Sequence, residues 1–174
     1  MARIIDLSKT NSPIESHDPE EISRHFNELK KTKKVVTTSG FFDPIHHGHV
    51  ELFQLSKKLG DYLIVLVNND LQTKLKKGYV FMPHEEKAKI IAEFGCVDEV
   101  FITLDTGDTS QCKTLAFIKP HIFAKGGDRY TYEIPETPTC REHGIQIIDG
   151  VGAKVQSSSE LVENANKLRE ELSS

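Results

Sequence analysis

Val35-Val36-Thr37-Thr38-Ser39-Gly40-Phe41-Phe42-Asp43-Pro44-Ile45-His46-His47-Gly48-His49 is the stretch that decides how this chain is read. Its first four residues are apolar or β-branched, as a buried strand requires. The segment after His49 has helical periodicity, with Val50, Phe53, Leu55 and Leu59 ahead of a closing Gly60. Glycine, aspartate and histidines therefore fall where a strand hands over to a helix. Gly40 lets backbone approach a ligand closely, and the free N–H groups and dipole of a helix start favour anions. The loop reads as a phosphate cradle. His46 and His49, at the start of that helix, can face one point and donate hydrogen bonds to oxygens gaining charge at phosphorus, whereas His47 points elsewhere.

Outward from this loop the chain alternates. Tyr62 to Val67 is a second, almost unbroken apolar strand, as a parallel sheet covered on both faces demands. Pro83 and Glu85 to Phe94 predict an amphipathic helix with Ala88, Ile91 and Ala92 buried, and Ile90 on the same side. Val100 to Leu104 predicts a third strand, Ser110 to Ile118 a helix stopped by Pro120, Ile122 to Ala124 a fourth strand and Ile145 to Ile148 a fifth. A last helix, Ser158 to Leu172, carries Leu161, Ala165, Leu168 and Leu172 on one stripe. The predicted fold is α/β, a Rossmann-like open, mostly parallel five-stranded sheet with helices on both faces and right-handed crossovers. Upstream, Asp18 as N-cap and Pro19 at the first helical position lead into Ile22, Phe26 and Leu29, a helix ending in the lysine-rich turn Lys30 to Lys34. Residues 1–34 are thus expected to be an N-terminal extension with one helix, and residues 35–174 the functional domain.

Composition narrows the field. A chain of 174 residues suits one domain with a real core. A net charge of -4 supplies no general basic field, so no nucleic-acid partner is expected. Cys96, Cys112 and Cys140 make no C-x-x-C pair and no zinc-type spacing, which predicts reduced thiols in a cytoplasmic protein. No export signal and no run of about eighteen apolar residues is present, so no membrane association is expected.

Ligands of open α/β sheets bind outside the carboxyl ends of the strands, near the switch in strand order. Three polar clusters lie at such ends: Gly40 to His49, Asn68 to Lys77, and Lys125 to Arg129. They are expected to converge on one crevice, with Lys74, Lys76 and Lys77 in a loop that can close over phosphates.

The decapeptide resembles the G-x-F-D-x-x-H-x-G-H signature of the nucleotidyltransferase superfamily, with Gly40, Phe42, Asp43, His46, Gly48 and His49 at the fixed positions. Further motifs follow in the order found in ADP-heptose synthase-like sugar-phosphate nucleotidyltransferases: Val67-Asn68-Asn69-Asp70, Gly95-Cys96-Val97-Asp98, Lys125-Gly126-Gly127-Asp128, and Gly152 to Ser159. The resemblance implies that His46 and His49 hold the triphosphate and stabilise the transition state. Backbone around Gly40, Phe41, Phe42, Asp43 and Gly48 would cradle the α-phosphate. Lys125, Gly126, Gly127 and Asp128 would position nucleotide or acceptor, and Ser157, Ser158 and Ser159 would bind the β- and γ-phosphates. For these serines a second reading stands beside the first, a capping box of Ser157 with Glu160. One of Lys74, Lys76 and Lys77 is expected to match the family's mobile lysine, with Lys77 as the catalytic candidate. Two departures bear on substrate. The final serine motif lacks the arginine often found beside it, leaving Lys154 or Arg129 to substitute. The segment Lys77 to Pro83 replaces a glycine-rich, arginine-containing turn, so acceptor identity is expected in Lys77 to Met82 and Lys125 to Arg129.

The chemistry implied is in-line attack by an acceptor phosphate oxygen on the α-phosphorus of a nucleoside triphosphate, expelling pyrophosphate, with no covalent nucleophile. Mg²⁺ accompanies the triphosphate, keeps several waters and needs few protein ligands, so no protein metal site is expected. The expected partners are an NTP, ATP ahead of CTP, and a sugar phosphate such as a heptose 1-phosphate, in a homodimer. Two other readings stay open: a cytidylyltransferase acting on glycerol 3-phosphate or a related alcohol phosphate, and a non-catalytic nucleotide-binding domain.

Overall fold

The computed structural model describes residues 1–8, 17–127, 134–152 and 158–173. The two longest strands lie side by side at the centre of the sheet. Strand β2 (Val35–Gly40) pairs in parallel with β3 (Tyr62–Val67) along its whole length, from Val35 opposite Tyr62 to Gly40 opposite Val67. Successive side chains of a strand point to opposite faces. In β3, Leu63, Val65 and Val67 join one core while Ile64 and Leu66 join the other, all 0% exposed. That double burial is why the run has no polar alternation.

Helices α2 (His47–Lys57) and α4 (His84–Ala92) cover the first face through Leu52, Phe53, Ala88, Ile91 and Ala92. The second face is covered by α1 (Pro19–Thr32) and α5 (Cys112–Ile118) through Ile22, Phe26, Leu115 and Ile118. Helix α1 starts as its sequence predicts, with the Asp18 side chain accepting from the Glu20 N–H at 3.2 Å and Pro19 in the first turn.

The remaining strands are β4 (Glu99–Ile102), β5 (Ile122–Ala124), β6 (Gln146–Ile148) and β1 (Arg3–Ile5), and all pairings are parallel. Strand order is β1-β4-β3-β2-β5-β6, six strands rather than the five expected. The extra strand comes from the N-terminal extension: Arg3, Ile4 and Ile5 pair with Glu99, Val100 and Phe101. Three residues are too few to show a period, and their partner lies far along the chain. Beyond β1, Asp6 is held by His84, whose Nε2 lies 3.6 Å from its Oδ2 and whose Nδ1 lies 3.2 Å from Asp70 Oδ1.

Other readings of the chain change. The lysines placed in a loop sit on a helix, α3 (Asp70–Lys77), capped by Asn69 and stopped at Gly78, whose φ of 83° suits glycine. A short helix, α6 (Thr137–Glu142), lies where no periodicity was visible. Ile90 is exposed, and the stripe of α7 (Ser158–Ser173) is not buried: Leu168 is 59% exposed, with no buried residue in the helix. Among the described residues no helix is long and apolar enough to cross a membrane.

Phe26 is the keystone of the second core, 1% exposed, with its ring 5.9 Å from that of Phe101 and edge-on to Phe117 at 6.3 Å. Phe26→Ala is expected to cost about 3–5 kcal/mol, the range for deleting a buried aromatic, read as a lowered midpoint in urea denaturation. A loss below about 1 kcal/mol would show that α1 contributes little to the core.

Candidate active site

Strand β2 takes β3 on one edge and β5 on the other, so chain connections leave it in opposite directions and a crevice opens beyond its carboxyl end. The crevice has a volume of about 580 Å³. It is lined by Gly40, Phe41, Phe42, His46, Gly48 and His49 from the loop after β2, by Lys76 and Lys77 of α3, by Lys125, Gly126 and Gly127 after β5, and by Ser158 and Ser159 of α7. The described parts of the three polar clusters thus line one crevice. Asp128 and Ser157, with Arg129 and Lys154, lie outside the described residues. Asp43 does not line the crevice but is buried beneath its floor.

The histidines are fixed by the helix they begin. A helix start leaves N–H groups without internal partners. Here the Gly48 N–H donates to His46 Nδ1 at 3.2 Å and the His46 N–H donates to His49 Nδ1 at 3.1 Å, a reciprocal capping box made of imidazoles. Because each Nδ1 accepts, the neutral rings carry their protons on Nε2. The rings stack with centroids 3.7 Å apart and planes 23° apart, so their free edges lie side by side. Phe42 packs edge-on to His49 at 4.9 Å, held by a backbone φ of 48° that non-glycine residues seldom adopt. A Cβ on Gly40 would lie 2.7 Å from the Phe42 ring, so glycine there makes room for the aromatic wedge. His47 is exposed and does not line the crevice.

The loop is braced from below. The Asp43 carboxylate, 0% exposed, accepts from the Phe81 N–H at 3.0 Å and the Met82 N–H at 2.5 Å. Lys77 Nζ donates to the Asp43 carbonyl and lies 3.8 Å from its carboxylate. Lys87, 0% exposed on α4, donates to the Phe41 carbonyl at 2.8 Å. Burial pushes the Lys87 pKa down, with Asp43 and Asp70 opposing. Among the three candidate lysines, Lys77 is tied to the histidine loop and Lys76 lies 4.1 Å over the Phe41 ring. Lys74 is exposed and does not line the crevice. Tyr79 and Phe81, expected near the acceptor, instead line a separate shallow groove with Leu161, Val162 and Ala165 of α7. Ser158 donates to the Pro44 carbonyl at 2.7 Å, fastening the start of α7 to the histidine loop. Opposite, the Lys125 carbonyl accepts from the Val151 N–H at 3.0 Å, which holds the strand end against β6.

Three residues of this assembly are not signalled by the motifs of the sequence. Lys87 sits in Glu85-Glu86-Lys87-Ala88-Lys89, which looks like a solvated face. Gln111 and Glu136, each 3% exposed, complete the wall beside Asn68. A buried-side register on α4 was the one available signal for Lys87. Gln111 and Glu136 had none, because they meet across 25 residues of chain.

Neutral imidazoles at a helix start thus line the same space as two lysines of α3. The chain belongs to the cytidylyltransferase-like family of nucleotidyltransferases, whose profile matches residues 37–167. It is 33% identical over 172 residues to the bifunctional protein HldE of a Nitratiruptor species, covering 93% of this chain and 36% of that protein. Against HldE of Pelobacter propionicus it is 35% identical over 131 residues, covering 74% of this chain and 25% of that one. The chain thus spans between a quarter and about a third of the length of these relatives. Among solved structures, a lipopolysaccharide core biosynthesis protein from Thermoplasma volcanium superposes with a TM-score of 0.59 at 25% identity, over 69% of this chain and 98% of that one. Pantoate-beta-alanine ligase from Francisella tularensis shares the fold, with a TM-score of 0.60 at 16% identity over 100% of this chain and 80% of that one.

Burial first, then electrostatic coupling to His46 and to the Lys77 ammonium, holds the His49 pKa down at about 3, against an ordinary 6.5. Burial and His47 lower that of His46 as well. The unfolded chain therefore binds more protons than the folded one between these values. Stability from the neutral rings is complete above pH 6.5 and falls as pH drops towards about 3. In urea denaturation at several pH values, His49→Gln is expected to flatten that decline; an unchanged slope would overturn the assignment.

Proposed function

We propose that this chain is a nucleotidyltransferase that transfers a nucleoside monophosphate from an NTP, ATP ahead of CTP, to a sugar phosphate such as a heptose 1-phosphate, releasing pyrophosphate. The observation that carries this reading is the imidazole pair. Both rings are locked by backbone donors as Nε2–H tautomers at a helix N-terminus, so each presents a proton donor where an anion is favoured. His46 and His49 would bind the triphosphate and hold the non-bridging oxygens as charge shifts towards the leaving pyrophosphate. Lys77 adds a cation from α3, and Ser158 and Ser159 offer hydroxyls at the start of α7. Gly40, Phe41, Phe42 and Gly48 supply close backbone. Asp43 acts from beneath, by holding the loop and Lys77 in place. The acceptor phosphate is already the nucleophile, so the protein's task is alignment and charge neutralisation.

The histidine-loop side of the crevice offers N–H groups, hydroxyls and lysines, Glu136 is the one carboxylate lining it among the described residues, and no three His, Cys, Asp or Glu side chains among them group as a metal cage. That donor set fits a Mg²⁺ held by the triphosphate oxygens and water, where it would offset charge on the leaving group. Residues 35–174 would form the nucleotidyltransferase domain, with residues 1–34 an extension that completes one sheet edge. The apolar side chains exposed on α7, with Leu172 at 89%, support a homodimer, which sedimentation would test.

His49→Ala is expected to keep the far-UV spectrum and to lose on the order of 10²-fold or more in kcat, the scale for deleting one transition-state donor. The assay is pyrophosphate release with ATP or CTP against heptose 1-phosphate, hexose 1-phosphates and glycerol 3-phosphate. Preference for CTP with glycerol 3-phosphate would favour the alcohol-phosphate reading. Triphosphate binding with no pyrophosphate released from any pair would sink the enzymatic one.

A further inference from the structure

The β4 side of the crevice is walled by polar side chains that the fold buries and the histidine loop does not use. Asn68 at 0% exposure, and Gln111 and Glu136 at 3% each, line the same crevice as His46, His49 and Lys77. They form one network. The Gln111 backbone N–H donates to Glu136 Oε1 at 2.9 Å, and Gln111 Nε2 donates to Asn68 Oδ1 at 3.3 Å and to the Thr109 carbonyl at 3.2 Å. Asn68 Nδ2 in turn donates to Gln72 Oε1 at 2.9 Å. One atom is left over. Gln111 Oε1 is buried and has no hydrogen-bond partner among the described residues. Buried polar atoms are normally paired because an unpaired one costs free energy, and each exception calls for a reason.

The chemistry of the two walls differs. Phosphate needs donors and cations, which the histidine loop and the lysines provide. A carboxylate and an amide oxygen are acceptors, suited to hydroxyl groups rather than to phosphate. On the other side of β2, Lys125, Gly126 and Gly127 bring a lysine and main chain to the crevice, and none of these three residues carries a side-chain acceptor. We propose, resting on the nucleotidyltransferase reading above, that Gln111 and Glu136, braced by Asn68, bind hydroxyl groups of a polyhydroxylated acceptor, whose phosphate then points to His46 and His49. Acceptor selection thereby moves from Lys77 to Met82 onto the loop after β4 and the residue preceding α6. A site built to hydrogen-bond hydroxyls discriminates strongly, because a ligand lacking them leaves its buried polar atoms unpaired.

The test is equilibrium binding by calorimetry, which does not depend on turnover. The probes are mannose 1-phosphate, inorganic phosphate and a non-hydrolysable ATP analogue. The proteins are the wild type, Gln111→Leu and Glu136→Gln, each checked for an unchanged melting profile; Glu136→Gln keeps an oxygen for the Gln111 N–H, so it folds even if Gln111→Leu does not. The wild type should bind mannose 1-phosphate about tenfold or more tightly than inorganic phosphate, and both variants should lose that margin with the other two affinities held within about twofold. The proposal is overturned if the wild type shows no margin, if the variants keep it, or if they lose the ATP analogue to the same degree. Pyrophosphate release measured alongside separates the two readings. A margin that depends on Gln111 and Glu136 without any turnover removes the transferase and keeps the hydroxyl site, and turnover with an acceptor KM unmoved in both variants does the reverse.

Discussion

A carboxylate with no exposed surface must find donors inside the protein, because the cost of stripping its water is otherwise not offset. Asp43 meets that condition by drawing three pieces of chain to itself: its own loop after β2, Lys77 at the end of α3, and the Phe81 and Met82 N–H groups ahead of α4. Lys87 does the same from α4 by donating to the Phe41 carbonyl. The loop after β2 is therefore suspended between two helices rather than resting on the sheet alone. The position of His46 and His49 depends on this scaffold, which reaches His49 through the Phe42 ring.

The histidines carry two burdens at once. As caps they satisfy N–H groups that the first turn of α2 cannot, and as caps they lose the choice of tautomer. A serine or aspartate would have capped equally well. What imidazole adds is a second nitrogen on the far edge of the ring, so the same side chain closes the helix and still presents a donor. Burial that keeps the rings neutral also keeps them as single donors with a defined direction. Stacking at 3.7 Å is compatible with two neutral rings and would be repulsive between two charged ones.

Much of this was legible in the sequence, for physical reasons that differ by element. The core strand Tyr62–Val67 could be read because burial on both faces leaves an unbroken apolar run. The loop Gly40 to His49 could be read because few residue types satisfy a glycine approach, a buried carboxylate and a capped helix start in that order. Strand β1 could not, since three residues gain their structure from Glu99 to Phe101 and not from any pattern of their own. Helix α3 is short and polar, and its lysines looked like a loop. Gln111 and Glu136 look like ordinary surface residues until the fold brings them together, and Lys87 was hidden by its charged neighbours. Local periodicity reports burial along one element, whereas a polar network is a property of chain segments that meet.

The crevice exists only because β2 has a neighbour on each edge, and the two neighbours differ greatly in distance along the chain. β3 follows after one helix; β5 brings together residues 86 apart, as in the bond from the Val35 N–H to His121. Contacts of long sequence separation form after local ones. A chain emerging from the ribosome therefore has a period in which Val35 to Thr38, apolar and β-branched, is an unpaired sheet edge, the kind of edge that recruits strands from other molecules. The strand beyond which the crevice opens is thus also an edge that stays unpaired until Ile122 to Ala124 arrive to cover it.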